Sequence, residues 1–217
     1  MHEETFYLGR NLIYFFSRLY SLMLLEAPGE PLRTAHLEDW YSSYIWSSIL
    51  DDCLLDLPGM TVERKESPCR ASSIRKNRHR TKSHRMKLGA RLDAIIRTVE
   101  DDYYEYGGME VARTFNGVTS TKWLGDEFKL VRAMRDMLVR LHELVGGERD
   151  TRLQVIGVTT AGLRCQWARL GYRAGYVCLL DKERMGIVPM AVGGLHELLK
   201  LLMSVAQMKV SVSSLFN

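Results

Sequence analysis

Two acidic residues, Asp93 and Glu110, lie on the two arms of a predicted β-hairpin that spans 91–112. With the turn centred between Asp101 and Asp102, Asp93 is expected directly opposite Glu110, with both side chains on one face and Cβ atoms about 5 Å apart. Two carboxylates at that spacing repel each other, and a divalent cation between them would remove the repulsion. Because Mg²⁺ prefers hard carboxylate oxygens, the hairpin predicts a Mg²⁺ site of the kind that prepares water to attack a phosphate.

Phosphoryl chemistry also needs a cation that stabilises the developing negative charge. Three basic residues follow Glu110 along the chain, namely Arg113, Lys122 and Lys129. Alternation along a strand places Arg113 on the opposite face from Glu110, which leaves its guanidinium poorly directed. Each of the three is a candidate for steadying the phosphate.

Helices and short strands alternate around this hairpin. Periodicity predicts helices over 4–26, 34–55, 127–145 and 192–208, and strands over 91–99, 103–112, 153–159, 163–168, 176–180 and 185–188. Asp126 is the expected cap of the third helix, and the last two strands are expected to pair with each other. Burying the apolar faces of these elements requires an α/β fold, a central mixed sheet with flanking helices.

Apolar side chains recur at helical spacing in two of these helices. The expected core includes Leu37 and Tyr44 on the second helix, and Phe128 and Val145 on the third. The four tryptophans lie mostly on such stripes or on strands, which favours core packing over base stacking. The four cysteines lack the CxxC spacing of a zinc ribbon and are expected to be buried thiols.

Length and composition favour one domain with a helical extension. A chain of 217 residues with 46% apolar residues can fill a sizeable core, and we assign 1–30 to the extension and 31–217 to the domain. Residues 12–25 are apolar but contain Arg18 and are not preceded by a basic segment, so we expect neither a membrane span nor a secretion signal. The helix is predicted to serve a protein partner or self-association, and the protein to be nuclear or cytoplasmic.

Positive charge is concentrated in one segment. Between Ser67 and Arg91 there are nine Lys or Arg and no Asp or Glu, although the whole chain carries only +4. We expect 61–90 to be a long basic loop that binds DNA or RNA phosphates, serves as a nuclear import signal, or is merely solvated. Its candidate nucleic-acid-binding residues are Arg75, Lys76, Arg78, Arg80, Lys82, Arg85 and Lys87.

The sequence lacks the motifs of several enzyme classes. The chain has no GxxxxGK[ST] phosphate loop, no GxGxxG dinucleotide fingerprint and no nucleophile elbow.

The hairpin residues resemble the PD-(D/E)XK nuclease-like superfamily. Asp93 stands on one strand and the run Glu110-Val111-Ala112-Arg113 on the next. The run is also similar to a Glu-Phe-Ala-Lys element of a group of uncharacterised fungal proteins, whose later Gly-Tyr-Val-Cys-like strand would correspond to residues 175–178 here. The resemblance implies a restriction-endonuclease-like core over about 34–208 and a magnesium-dependent hydrolase that cleaves nucleic acid.

Carried over to this chain, the resemblance implies that Asp93 and Glu110 hold the metal and that Glu38, on the first core helix, assists them. The sequence departs from the motif because Ala112 occupies the position of the catalytic lysine. Arg113 retains its proton at neutral pH and is a poor substitute. This departure leaves two interpretations. Either Lys122 or Lys129 takes the role of the catalytic lysine, or the domain is a catalytically inactive nucleic-acid-binding or protein-interaction module.

Overall fold

The structure, a computed structural model, describes residues 31–54, 57–81, 83–99, 104–145, 153–174 and 177–213. Its centre is a seven-stranded mixed β-sheet flanked by helices, as the predicted α/β class requires. The extension 1–30, with its predicted helix and partner surface, lies outside these residues. Among the described residues, no helix combines the length and apolar character needed to cross a membrane.

The strands are consecutive neighbours in the sheet. They are β1 Met60–Pro68, β2 Arg91–Thr98, β3 Glu105–Ala112, β4 Gln154–Ala161, β5 Arg164–Ala174, β6 Val177–Lys182 and β7 Gly186–Ile187. The sheet runs in the order β1 to β6, and β7 adds to β5. Only the β3–β4 pair is parallel among the described pairs, because a helix connects those two strands.

Four helices flank this sheet in the described part of the chain. Helix α1 has three consecutive segments, Glu38–Trp40, Tyr41–Asp51 and Asp52–Leu54, the middle one with wider π-helical hydrogen bonding. The others are α2 Arg70–Asn77, α3 Thr121–Leu144 and α4 Leu195–Ser213, which follows a 3₁₀ turn at Val192–Gly194. Helix α3 connects β3 to β4 and packs on both of them.

The prediction of a basic loop over 61–90 is wrong. This segment contains β1 and α2, whose N-terminus is anchored by the buried carboxylate of Glu105 on β3. That carboxylate accepts hydrogen bonds from the backbone N–H groups of Arg70 (2.7 Å) and Ala71 (2.9 Å), and the thiol of Cys69 donates to it at 3.3 Å. An anion at a helix N-terminus satisfies amides that have no partner within the helix.

Two other packing predictions are corrected. Strands β6 and β7 do not pair with each other, since both pair with β5. Four predicted core side chains are exposed: Leu37 and Val145, which flank the ends of α1 and α3, and Tyr44 and Phe128 on those helices. The predictions of buried Trp46, Trp123 and Trp167 are confirmed, and Trp40 is partly buried. All four cysteines are free thiols, three of them buried.

Helix α3 lies close to the sheet because β3 presents Gly108 to it. A Cβ atom at this position would lie 2.5 Å from Cδ1 of Leu92 and 3.3 Å from Cδ1 of Leu130. The absent side chain allows α3 to approach β3 and to bury its apolar face, including Met134, Met137 and Leu138, against the strands.

Replacing Gly89 by Ala should destabilise the protein, because the new Cβ would lie 1.9 Å from the backbone oxygen of Cys69, at the start of α2. We expect the free energy of unfolding to fall by about 1–3 kcal/mol or more in urea titrations. Gly125→Ala is the matched control, since its Cβ meets nothing within 4 Å on α3. That change should stabilise by up to about 1 kcal/mol. Equal stability of both variants would contradict the packing described here.

Candidate active site

The strand pairing is irregular on both sides of Asp93. On one side, the register between β1 and β2 shifts between Arg64 and Ser67. Lys65 and Glu66 therefore stand opposite the single residue Asp93, and both have positive φ angles, of 73° and 53°. Two non-glycine residues in the left-handed region form a strained bulge, a feature that often adjoins active sites.

On its other side, Asp93 reaches the backbone of β3. Its Oδ2 accepts a hydrogen bond from the N–H of Val111 at 2.6 Å. The side chain thereby satisfies a donor that no residue of β2 pairs with in the described ladder, where the β2–β3 pairs are Ala94–Met109, Ile95–Gly108, Ile96–Gly107 and Arg97–Glu105. Asp93 thus lies opposite a bulge in β1 and at the end of the β2–β3 ladder, at a fork between β2 and β3.

The predicted hairpin register is confirmed over three pairs, from Ala94–Met109 to Ile96–Gly107. The direct pairing of Asp93 with Glu110 is not among the described pairs, because β2 leaves the ladder and the Asp93 carboxylate binds Val111 instead. The two acids are nevertheless close enough to interact electrostatically, since the charge of Asp93 is one of the causes that raise the pKa of Glu110.

Glu110 is a buried carboxylate held by a lysine. Its exposed fraction is 2%, and Lys129 Nζ lies 2.8 Å from Oε1 and 2.9 Å from Oε2. Lys129 reaches Glu110 from the third turn of α3, and its side chain remains 38% exposed. A cation from α3 therefore lies directly beside the buried carboxyl group of Glu110.

A third acid, Asp126, faces the same region from α3. It was expected to cap the helix, but Ser120 is the cap, and its side chain accepts a hydrogen bond from the N–H of Trp123. Asp126 instead lies inside the helix, buried, with Oδ1 accepting a hydrogen bond from Lys122 Nζ at 2.9 Å. Within the described part of the chain, Asp126 Oδ2 accepts no hydrogen bond.

The fourth acid, Glu38 at the start of α1, is half-buried. Burial raises its pKa, and the charges of Asp93 and Asp126 raise it further, while Lys122 opposes them. The resemblance gave Glu38 an assisting role at the metal, and this role stays a prediction. We call Glu38, Asp93, Glu110 and Asp126 the carboxylate cluster.

Burial is the main cause of the raised pKa values of Glu38, Asp93 and Glu110. Removal from water raises the pKa of Glu110 to about 8, although its hydrogen bond from Lys129 acts in the opposite direction. Burial likewise raises the pKa of Asp93, against the hydrogen bond from Val111. Four acids share two lysines here, so the cluster carries more carboxyl groups than ammonium groups. A carboxyl group that titrates near neutral pH can exchange a proton during a reaction.

The donor chemistry of the cluster suits Mg²⁺, which prefers carboxylate oxygens. Buried oxygens of Glu110 (Oε1) and Asp126 (Oδ2) accept no hydrogen bond from any described residue, although Glu110 Oε1 lies within ion-pair distance of Lys129. The positions fit less well, because no three His, Cys, Asp or Glu side chains in the described ranges converge closely enough to hold an ion. Lys129 is the cation that contacts Glu110 in this arrangement.

The remaining predicted site residues make no described contact with the acids of the carboxylate cluster. Arg113 is exposed and forms no ion pair with Glu110 in the described part of the chain. Arg75 and Arg78 bind acids of α3, Asp136 and Glu143.

The other predicted basic residues were expected in a loop. Lys76 lies on α2, where its Nζ donates to the carbonyl of Leu88 at 2.9 Å. Arg80 is partly buried, Arg85 and Lys87 are exposed, and Lys82 lies outside the described residues.

No protein-family model, curated protein or solved structure matches this chain. The function is therefore inferred from the geometry of the carboxylate cluster. Sequence reasoning missed Asp126 and Glu66, the second of which acts electrostatically on Asp93. The sequence contained a signal for Asp126, since Lys122 and Asp126 are four residues apart and share a helix face.

Replacing Glu110 by Gln should change how stability depends on pH. The pKa of Glu110 is about 8 in the folded protein against an ordinary 4.5, so its protonated form stabilises the fold fully below about pH 4.5. That contribution is lost as pH rises through 8. Gln cannot ionise, so the difference in unfolding free energy between Glu110→Gln and wild type should move in favour of the variant between about pH 5 and 9.

The measurement is urea unfolding followed by tryptophan fluorescence across this pH range. Asp39→Asn, which removes an exposed carboxylate from α1, is the control and should follow the wild-type profile. A Glu110→Gln profile parallel to that of wild type would show that the carboxyl group is ionised throughout.

Proposed function

We propose that the carboxylate cluster is the active site of a nuclease-like domain that hydrolyses phosphodiester bonds of DNA or RNA with the help of Mg²⁺. The observation that supports this most is the contact of Lys129 Nζ with both oxygens of Glu110, at 2.8 and 2.9 Å. The pair lies beside Asp93, at the fork between β2 and β3.

The order of elements agrees with the proposal. Helix α1 precedes three antiparallel strands, β1 to β3, and α3 then leads to β4, which is parallel to β3. The PD-(D/E)XK resemblance implies a helix, a hairpin bearing Asp and Glu, a second helix and a further strand pair. Asp93 on β2 and Glu110 on β3 occupy the corresponding strands. This correspondence is the basis for proposing a restriction-endonuclease-like core.

Lys129 is the proposed counterpart of the lysine missing at position 112. A lysine ammonium can stabilise negative charge on a phosphate and, unlike arginine, can also give up its proton when partly desolvated. Its half-exposed side chain bridges the buried Glu110 and the solvent, where a substrate arrives. Lys122, on the same helix and 60% exposed, would contact an adjacent phosphate.

Asp93 and Glu110 would hold the metal, with Glu38 assisting. When bound, Mg²⁺ supplies a Lewis acid that polarises the phosphate and lowers the pKa of an attacking water. The chain itself provides the desolvated pocket in which Glu110 is buried and the hydrogen bond that orients Asp93.

A second candidate function is a non-catalytic nucleic-acid-binding module with the same fold. It is favoured by a specific observation, namely that Lys129 already contacts both oxygens of Glu110 while no three described His, Cys, Asp or Glu side chains converge on one point. A lysine that contacts both oxygens of Glu110 leaves this carboxyl group less available to a metal ion. The two functions differ in whether binding is followed by cleavage.

Supercoiled plasmid and a labelled single-stranded RNA, each incubated with the full chain, should be cleaved with Mg²⁺ but not with EDTA. Asp93→Asn, Glu110→Gln and Lys129→Met should each lower the rate by about 100-fold or more, because the first two remove groups that would hold the metal and the third removes the ammonium group that would stabilise the phosphate. Lys200→Met, an exposed lysine on α4, is the matched control and should cleave at the wild-type rate.

If the wild-type protein binds the plasmid or the RNA but cleaves neither, the non-catalytic binding module is the function that the experiment supports. Undiminished cleavage by the Asp93 and Glu110 variants would reject the cluster as the active site.

A further inference from the structure

An open groove of about 130 Å³ lies between α2 and α3, away from the carboxylate cluster. Its lining includes the apolar side chains of Ala71, Ile74 and Val139. The rest of the lining is charged and includes four arginines, Arg75, Arg78, Arg135 and Arg140. We call this feature the arginine groove.

The arginines outnumber the acids that line the groove. Asp136 accepts from Arg75 Nε at 2.6 Å, and Glu143 is shared between Arg78 and Arg140. Four guanidinium groups therefore face two carboxylates, which leaves two positive charges uncompensated in the groove. The side chains of Arg75, Arg78 and Arg140 are between 38% and 49% exposed. Since each guanidinium has five N–H donors, most donors remain available to a ligand.

The ligand chemistry follows from these donors. Planar guanidinium forks pair with the oxygens of phosphate in bidentate fashion, and a groove with several forks suits a chain of phosphates. The acids already present keep Arg75 and Arg78 in fixed orientations, which lowers the entropy lost on binding. Helices α2 and α3 thereby hold arginines that are 57–65 residues apart in the chain on the two walls of one groove.

We propose that the arginine groove binds the sugar–phosphate backbone of a nucleic acid. This inference rests on the proposed function for the identity of its ligand. Lys129, Asp136 and Arg140 follow one another at steps of seven and four residues, so they share one flank of α3. Eleven residues of helix span about 16 Å, which corresponds to about five nucleotide steps of a duplex strand. One bound strand can therefore reach the groove and the cluster together.

The test is equilibrium binding of fluorescein-labelled single- and double-stranded DNA and RNA oligonucleotides to the full chain, measured by fluorescence anisotropy in EDTA. The double variant Arg135→Gln/Arg140→Gln should bind about tenfold more weakly at low salt. Its slope of log affinity against log salt should be shallower by about 1.5, because two phosphate contacts are lost. Both arginines were chosen because they lie on α3, outside the carboxylate cluster.

The matched control, Arg173→Gln/Arg184→Gln, removes the same charge from exposed positions on and beyond β5 and should bind within twofold of wild type. Equal binding by the groove variant and wild type would overturn the proposal, as would displacement of the oligonucleotide by poly-glutamate of matched charge. Because EDTA prevents Mg²⁺-dependent cleavage, the result is independent of catalysis. Groove-dependent binding without plasmid nicking would refute only the catalytic proposal, and nicking by a groove variant that binds as tightly as wild type would refute only the groove.

Discussion

The burial of one carboxylate, that of Glu110, constrains the rest of this structure. A charged carboxylate inside a protein is costly unless a proton or a cation accompanies it. Both compensations are present, since burial raises the pKa of Glu110 to about 8 and Lys129 Nζ contacts both of its oxygens. Lys129 reaches Glu110 because α3 packs against β3 and β4. The packing of the helix and the ion pair thus depend on one another.

The position of Asp93 at the fork likewise depends on how its polar side chain is paired. A bulge in β1 and the end of the β2–β3 ladder release Asp93 from regular pairing, and its carboxylate then binds the backbone of Val111. A polar group that leaves a sheet must find another partner or face water. The fork therefore places an acid, with one oxygen committed to the backbone, beside a buried acid. A cluster of partly desolvated acids with a lysine between them is suited to proton transfer and to binding a cationic or phosphorylated ligand.

Much of this arrangement follows from local sequence signals, and the remainder depends on contacts between distant residues. The hairpin register was predictable because a short polar turn determines which residues face each other. The choice between Lys122 and Lys129 was not, because it depends on where α3 crosses β3. Helix α2 was missed since few of its residues are apolar, and its N-terminus is held by Glu105, 35 residues beyond Arg70. Asp126 was misassigned because Asp and Ser cap helices equally well, and Ser120 begins the helix earlier.

The most direct test of the account is the protonation of Glu110 itself, measured as the chemical shift of its carboxyl ¹³C by NMR in wild type and in Lys129→Met. The account predicts that the wild-type resonance titrates with an inflection near pH 8 and that the inflection moves upward in Lys129→Met, because the ammonium group favours the ionised carboxylate. An inflection near the ordinary value for glutamate, or one that is the same in both proteins, would contradict a buried Glu110 paired with Lys129.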